Sequence, residues 1–272
     1  MASTSTVAEK RSMAPAFSFI EGPLGCLLVH GFGDTAALME PMGTYLSAQG
    51  VSTKGITLPG HGTSLEDFAN ISNQRLLGMV EKEYTKLKEN CDSVVTVGFS
   101  MGGLLALQLA TMRDLEGIVT ICAPVFPRGG YVGEKMIKTV SRFGAKFGAT
   151  IPTLGMTSLS DKTLSEYLVG YKSYPTRSLL RLVELMETTR TVLKRVKAPI
   201  LVVHSRRDDV IWKKSGEYIF DSVESKKKSL LRLENSRHKA PLDRDRRILF
   251  DEVGKFCSLC SQHADPATPE TE

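Results

Sequence analysis

The sequence predicts an α/β fold, a mostly parallel, doubly wound sheet covered by helices on both faces. Short apolar runs alternate with helix-patterned segments along most of the chain. These runs are rich in Val, Ile and Leu and apolar on both faces, as strands between two helical layers are. A long strand-free stretch, residues 124–197, interrupts the alternation near its end.

The elements follow in order. Residues 1–15 are Ser/Thr-rich, lack an apolar h-region and read as a flexible tail. An antiparallel strand is expected near 17–21. Parallel strands are expected at 25–30, 51–58, 93–99, 117–122, 200–204 and 229–234. Helical patterning falls between them at 38–49, 73–90, 101–112, 213–222 and 243–259. The interrupting stretch carries helix-like segments at 131–147, 159–169 and 176–196 and is too long for a plain loop. It reads as a small helical lid inserted before the penultimate strand, over the carboxyl edge where open α/β sheets bind ligands. The expected organisation is a core of 16–124 and 197–261, a cap of 125–196, and tails at 1–15 and 262–272.

Composition excludes several classes. With 42% hydrophobic and 24% charged residues the chain can build a substantial core. The net charge of +5 is modest, and the runs Lys226-Lys227-Lys228 and Arg244 to Arg247 read as solvated surface, so no nucleic-acid partner is expected. No stretch is apolar for the ~20 residues a spanning helix needs. Five cysteines, an odd number, read as free and reduced. Cys257-Ser258-Leu259-Cys260 is a lone pair without a second ligand set, so no metal is expected. A cytoplasmic protein, monomer or small homo-oligomer, is the expectation.

The chemistry centres on Gly98-Phe99-Ser100-Met101-Gly102. Val94-Val95-Thr96-Val97 precedes it as a strand, and Leu104 to Leu109 follows as a helix. A strand, a sharp turn and a helix present the serine Oγ at the sheet edge, and the glycines remove side chains that would collide across the turn. The helix N-terminus favours negative charge there. A nucleophilic serine needs a base, and the base an orienting acid. On this type of fold the chain order is Ser, acid, His. His204 and His238 follow the elbow. His238 lies in a loop after the last strand and is the expected base, whereas His204 ends a strand and reads as a structural, hydrogen-bonded residue. The acid is Asp208 or Asp209. The expected oxyanion donors are the backbone N–H groups of Met101 and of Phe32, the latter in the loop after the first parallel strand. His30 reads as structural. His61 reads as structural too, with a second reading as a pocket residue.

Leu28-Val29-His30-Gly31-Phe32, Leu58-Pro59-Gly60-His61-Gly62, Gly98 to Gly103, Asp208 and His238 together resemble the α/β-hydrolase superfamily, and within it the short-lid carboxylesterases and monoacylglycerol lipases (serine aminopeptidase-like hydrolases). Residues 115–124 are similar to the strand that leads into the lid of small bacterial carboxylesterases. The resemblance spans residues 25–256 and implies the α/β-hydrolase fold with a catalytic triad Ser100, Asp208 and His238. Its pattern at the acid (Asp, one residue, then two apolar residues) places the role on Asp208. The chain departs from many relatives in having Arg237, not Gly, before the histidine, and Arg206-Arg207 before the acid.

The implied activity is hydrolysis of short- to medium-chain carboxylic esters through an acyl-enzyme, without cofactor. The alternatives are a monoacylglycerol lipase, another activity of the scaffold (thioesterase, lactonase, C–C hydrolase, peptidase) and a non-catalytic ligand-binding protein. Candidate substrate contacts are Gly31, His61, Val125, Met136, Leu182 and Met186. The cap's other apolar residues, Leu154 and Met156 among them, suit an uncharged small-molecule ester.

Overall fold

The structure, a computed structural model, describes residues 16–153 and 159–261. The expected tails and the cap positions Leu154 and Met156 lie outside the described residues.

The described residues form nine strands: β1 (Phe17–Phe19), β2 (Leu24–Val29), β3 (Ser52–Ile56), β4 (Ser93–Phe99), β5 (Gly117–Ile121), β6 (Thr150–Pro152), β7 (Ser173–Pro175), β8 (Ile200–Ser205) and β9 (Lys228–Leu233). Seven form the central sheet in the order β1-β3-β2-β4-β5-β8-β9. The short β1 pairs antiparallel with β3, and every other pairing in this sheet is parallel. The chain runs outward from β2 to β3 and then crosses back to β4 on the other side of β2. That reversal opens a crevice at the carboxyl ends of β2 and β4, where ligands bind in sheets of this kind.

The period-2 alternation of strand side chains explains why the strands are apolar on both faces. Leu27, Val29, Val94, Ile118 and Val202 point to one face, against Leu76, Val80 and Leu87 of α3 (Asn73–Lys88), Leu104 and Leu105 of α4 (Met101–Leu109), and Ile219 of α7 (Ser215–Ser222). Cys26, Leu28, Val95, Val97, Val119 and Val203 point to the other, against Met42 and Leu46 of α1 (Glu40–Ser47) and Leu249, Val253 and Cys257 of α8 (Arg246–Ser261). All five cysteines are free and buried. A short helix unanticipated from the sequence, α2 (Leu65–Asn70), starts at a capping box: Ser64 Oγ accepts from the Asp67 amide, and Asp67 accepts from the Ser64 amide. The signal was Ser64-x-x-Asp67.

The insertion between β5 and β8 is built on α5 (Gly130–Ala145) and α6 (Thr176–Val192). Two expectations need correcting. The stretch is not strand-free, because β6 and β7 pair as an antiparallel ribbon, in which Pro152 and Pro175 sit at edge positions that need no amide donor. The helix expected over 159–169 contracts to a 3-10 turn at Ser165–Tyr167. Asp161 accepts from the amide and hydroxyl of Thr163 and pairs with Arg246 at 2.6 Å, which offers the backbone a turn in place of a helix. Arg190 on α6 ties the insertion together. It forms a bidentate pair with Glu134 of α5 at 2.7 and 3.1 Å, and its guanidinium lies 4.1 Å from the Phe126 ring centroid. Tyr171 fixes the insertion to the β3 side: its hydroxyl donates to Gly60 O at 2.8 Å, and its ring stacks on Phe68. Among the described residues no helix is long and apolar enough to cross a membrane.

Candidate active site

Ser100 stands between β4 and α4 at φ 52° and ψ −118°. Such a conformation costs a β-substituted residue about 1–3 kcal/mol. It is held by a hydrogen bond from the Ser100 amide to Ile121 O at 2.8 Å and by the start of α4. The glycines are a steric requirement: a Cβ at Gly98 would lie 2.2 Å from Gly102 O, and one at Gly102 would lie 2.3 Å from Val29 O. The elbow is wedged between the carboxyl ends of β2 and β4, at the sheet's reversal point.

His238 comes from the loop between β9 and α8. Its Nε2 is 3.0 Å from Ser100 Oγ, and its Nδ1 is 2.7 Å from Asp208 Oδ2. With Nδ1–H donating to the carboxylate, Nε2 is free to accept from the serine hydroxyl. The other carboxylate oxygen of Asp208, Oδ1, accepts from the amides of Val210 and Ile211 at 2.9 and 3.1 Å. Burial alone would raise the Asp208 carboxyl. The charge of His238 and the hydrogen bonds from His238 and the two amides outweigh it and hold the group below its ordinary value. Asp209 turns away and pairs with Arg237 at 3.2 Å. Arg206 pairs with Glu234 at the exposed surface, and Arg207 is exposed as well.

The histidine loop is pinned from below. Asp245 Oδ2 accepts from the amides of Asn235 and Ser236, and Asp243 Oδ2 accepts from the amide of Arg237. The sequence reasoning missed these two carboxylates. Their only trace was an acidic pair just before the last helix, a position where an oxygen acceptor is common. Cys122 is a further neighbour: its thiol and one donor atom each of Asp208 and His238 lie within 4.8 Å of one another. Its backbone, at φ 49°, is strained like that of Ser100.

Met101 supplies the first amide of α4, which has no partner within the helix. Phe32 follows Gly31, and a Cβ on Gly31 would be 3.0 Å from the Ser100 Cβ. This backbone therefore passes directly against the serine.

The other histidines are structural in their contacts. His30 Nε2 accepts from the Leu58 amide at 2.9 Å, and Nδ1 donates to Gly31 O at 2.8 Å. Burial pushes it down to about 4 from 6.5. His61 packs against His30 and Phe68, and burial pushes it down to about 3. His204 departs from expectation. It is buried against Gly216, and although the Lys213 backbone lies near its ring, neither ring nitrogen makes a hydrogen bond of ordinary geometry. A pH dependence of stability follows from His30 and His61. Both are neutral in the folded protein and titrate near 6.5 when unfolded, so their stability contribution is complete above that pH and is lost as pH falls towards the folded values. The loss is about 1.4 kcal/mol per pH unit for each group. A urea midpoint clearly lower at pH 5 than at pH 7.5 is expected, and equal midpoints would exclude it.

A cavity opens beside Ser100 and His238. Leu179, Leu182, Val183 and Met186 of α6, Ile137 of α5 and Tyr174 of β7 line the side formed by the insertion, and Phe32, Val210 and Ile211 line the side of the central sheet. The structure thus places Leu182 and Met186 in the cavity wall with Phe32. It does not place the other four candidates there. Gly31 lies under the serine. Val125 is fully buried behind the wall. His61 lines a separate small cavity behind Phe32. Met136 is corrected most clearly: it is 64% exposed, on an outward stripe of α5 with Val132, Val140 and Phe143, and its neighbour Ile137 takes the inward position. One residue along a helix turns about 100°, and the sequence did not set the phase of this helix. Tyr174, Asp34 and Lys239 also line the cavity and were not anticipated.

Comparison with known proteins agrees with this geometry. The family model described as "Serine aminopeptidase, S33" matches residues 25–245. A thermostable monoacylglycerol lipase of Bacillus sp. (strain H-257) is 32% identical over 250 residues, covering 90% of this chain and 94% of that protein. A carboxylesterase of Bacillus subtilis (strain 168) is 27% identical over 241 residues, covering 88% and 94%. A structure from work on LipS and LipT, two metagenome-derived lipolytic enzymes, superposes with a TM-score of 0.81 at 25% identity, covering 91% of this chain and 98% of that one. The fold is that of the α/β-hydrolases.

Proposed function

We infer a mechanism and a substrate class from one fact: the chain belongs to the serine aminopeptidase (S33) family. It is a carboxylic ester hydrolase. The observation that supports a serine mechanism most directly is the unbroken line of contacts from Ser100 Oγ through His238 to Asp208 at the mouth of an apolar cavity.

In the mechanism we assign, His238 Nε2 takes the Ser100 proton as Oγ attacks the ester carbonyl. Asp208 holds the imidazole tautomer and stabilises the imidazolium. The amides of Phe32 and Met101 hold the oxyanion, and loss of one such donor typically costs about 10²–10³ in turnover. The protonated histidine returns its proton to the leaving alcohol, and water, activated by the same imidazole, hydrolyses the acyl-enzyme. The insertion, residues 125–196, acts as the cap that excludes water and supplies the acyl wall. We assign the substrate to uncharged esters of short to medium acyl chains. The relatives, a monoacylglycerol lipase and a carboxylesterase, bracket the alcohol part. We place the protein in the cytoplasm as a monomer or small homo-oligomer, in keeping with its five free, buried thiols.

The test is a series of p-nitrophenyl esters of increasing acyl length, run beside a monoacylglycerol and an amide. The expected result is a maximum in kcat/KM at short to medium chains, with the amide at least a hundredfold slower. An amide turned over as fast as the best ester would overturn the ester assignment in favour of peptidase chemistry.

A further inference from the structure

Positive charge gathers on one face of the molecule, beside the loop of Asp208. Two open clefts of about 420 and 650 Å³ adjoin there and share Arg207, Asp209 and Lys213. Arg128 and Lys214 complete the cationic lining of the smaller cleft, and Arg206, Arg237 and Arg244 that of the larger. Seven cations thus face two carboxylates, Asp208 and Asp209, an excess of five that equals the formal net charge of the whole chain. Both carboxylates are engaged, Asp208 by His238 and Asp209 by Arg237, and Arg206 pairs with Glu234. Among the described residues Arg128, Arg207, Lys213, Lys214 and Arg244 are exposed and belong to no ion pair.

No single run of sequence makes this face. Arg128 comes from the β5–α5 connection, Arg206, Arg207, Lys213 and Lys214 from β8–α7, and Arg237 and Arg244 from β9–α8. These three strands are parallel neighbours in the sheet, so their connections leave from one edge, the edge where sheets of this kind bind ligands. Folding gains little from the convergence, because like charges repel and exposed pairs such as Arg237 with Asp209 contribute little to stability. A concave surface of one sign instead focuses its field and concentrates anions. Five of the seven cations are arginines, whose planar fork matches phosphate oxygens two at a time. An excess of five charges is answered by several phosphates on one ligand, not by a lone carboxylate. The cleft volumes fall within the range of small-molecule sites, about 300–1,000 Å³, whereas a bilayer surface or a duplex is too broad to enter them.

We propose that these adjoining clefts bind a soluble ligand bearing a di- or triphosphate group, with Arg207 and Lys213 at its centre. Ile211 separates this site from the cavity beside Ser100, lining both. The proposal therefore stands apart from the ester-hydrolase reading and is tested by binding alone.

The probe is inorganic triphosphate, titrated calorimetrically into the full-length protein at about 50 mM salt, where screening is modest. Saturable binding is expected with a Kd of about 100 μM or tighter, at least tenfold below that of orthophosphate. The double variant Arg207→Gln with Lys213→Gln removes the two cations common to both clefts and is expected to weaken triphosphate at least tenfold. Lys82→Gln with Lys135→Gln removes the same charge from exposed positions elsewhere and is expected to change the affinity less than twofold. Equal weakening in the two double variants would reduce the effect to net charge and overturn the site. Triphosphate held no better than orthophosphate, or no saturable binding at all, would overturn it as well. Vesicles of phosphatidylcholine with about 30% phosphatidylserine and a DNA duplex are run in parallel. Binding of either without binding of triphosphate would give the face to a macromolecule and overturn the proposal.

Discussion

Ser100→Ala is expected to lower kcat/KM by about 10⁴–10⁶ on every ester the native protein hydrolyses. The reason is local. Only Oγ is lost, and with it the atom 3.0 Å from His238 Nε2 that forms the acyl bond in the proposed mechanism. The strained backbone at φ 52° is imposed by the flanking glycines and the hydrogen bond to Ile121 O, so alanine keeps it. The thermal midpoint should therefore stay within about 2 °C of the parent, which separates lost chemistry from lost folding. A fluorophosphonate probe should label the parent and leave the variant unlabelled. Ester turnover in the variant within tenfold of the parent would remove Ser100 from the mechanism.

The second large effect is expected at the acid. Asp208→Asn preserves volume and can still accept from the Val210 and Ile211 amides. It removes the charge that stabilises the imidazolium, and its amide nitrogen can present a donor where Nδ1–H needs an acceptor. The histidine is then held in the wrong tautomer, a defect worth about 10⁴ in kcat with little change in KM. Asp209→Asn is the matched control, because that carboxylate contacts Arg237. It is expected to change kcat by less than threefold. Equal losses in the two variants would contradict the assignment of the acid to Asp208.

Much of this was legible in the chain. Each central strand carries a both-faced apolar run, and the helices between show their 3.6-residue period, so the doubly wound sheet follows from local patterning. Ser100 was legible because its turn needs glycine at positions set by backbone contact, and His238 because chain order on this sheet leaves few places for a base. The alternatives Asp208 and Asp209 were harder to separate. Adjacent residues have the same composition value, and only the loop conformation turns one carboxylate to His238 and the other to Arg237.

The insertion between β5 and β8 shows where local information ends. Its helices α5 and α6 were visible, yet the ribbon β6-β7 depends on a pairing across more than twenty residues, and the contraction of 159–169 depends on Asp161 reaching Arg246. Which face of α5 points inward is a matter of packing against α6, through Glu134 and Arg190, and that exchange put Ile137 in the cavity and Met136 in solvent.

The amino-acid sequence alone thus carried the sheet, the elbow and the chemistry of its serine, because these rest on short-range sterics and periodicity. Tertiary structure alone decided the shape and polarity of the cavity. Asp34 and Lys239 stand 205 positions apart and meet only because β2 and β9 run in the same direction in the sheet, so that the loops after them leave from one edge. No local pattern records such a meeting, since its energy depends on burial that the completed fold creates.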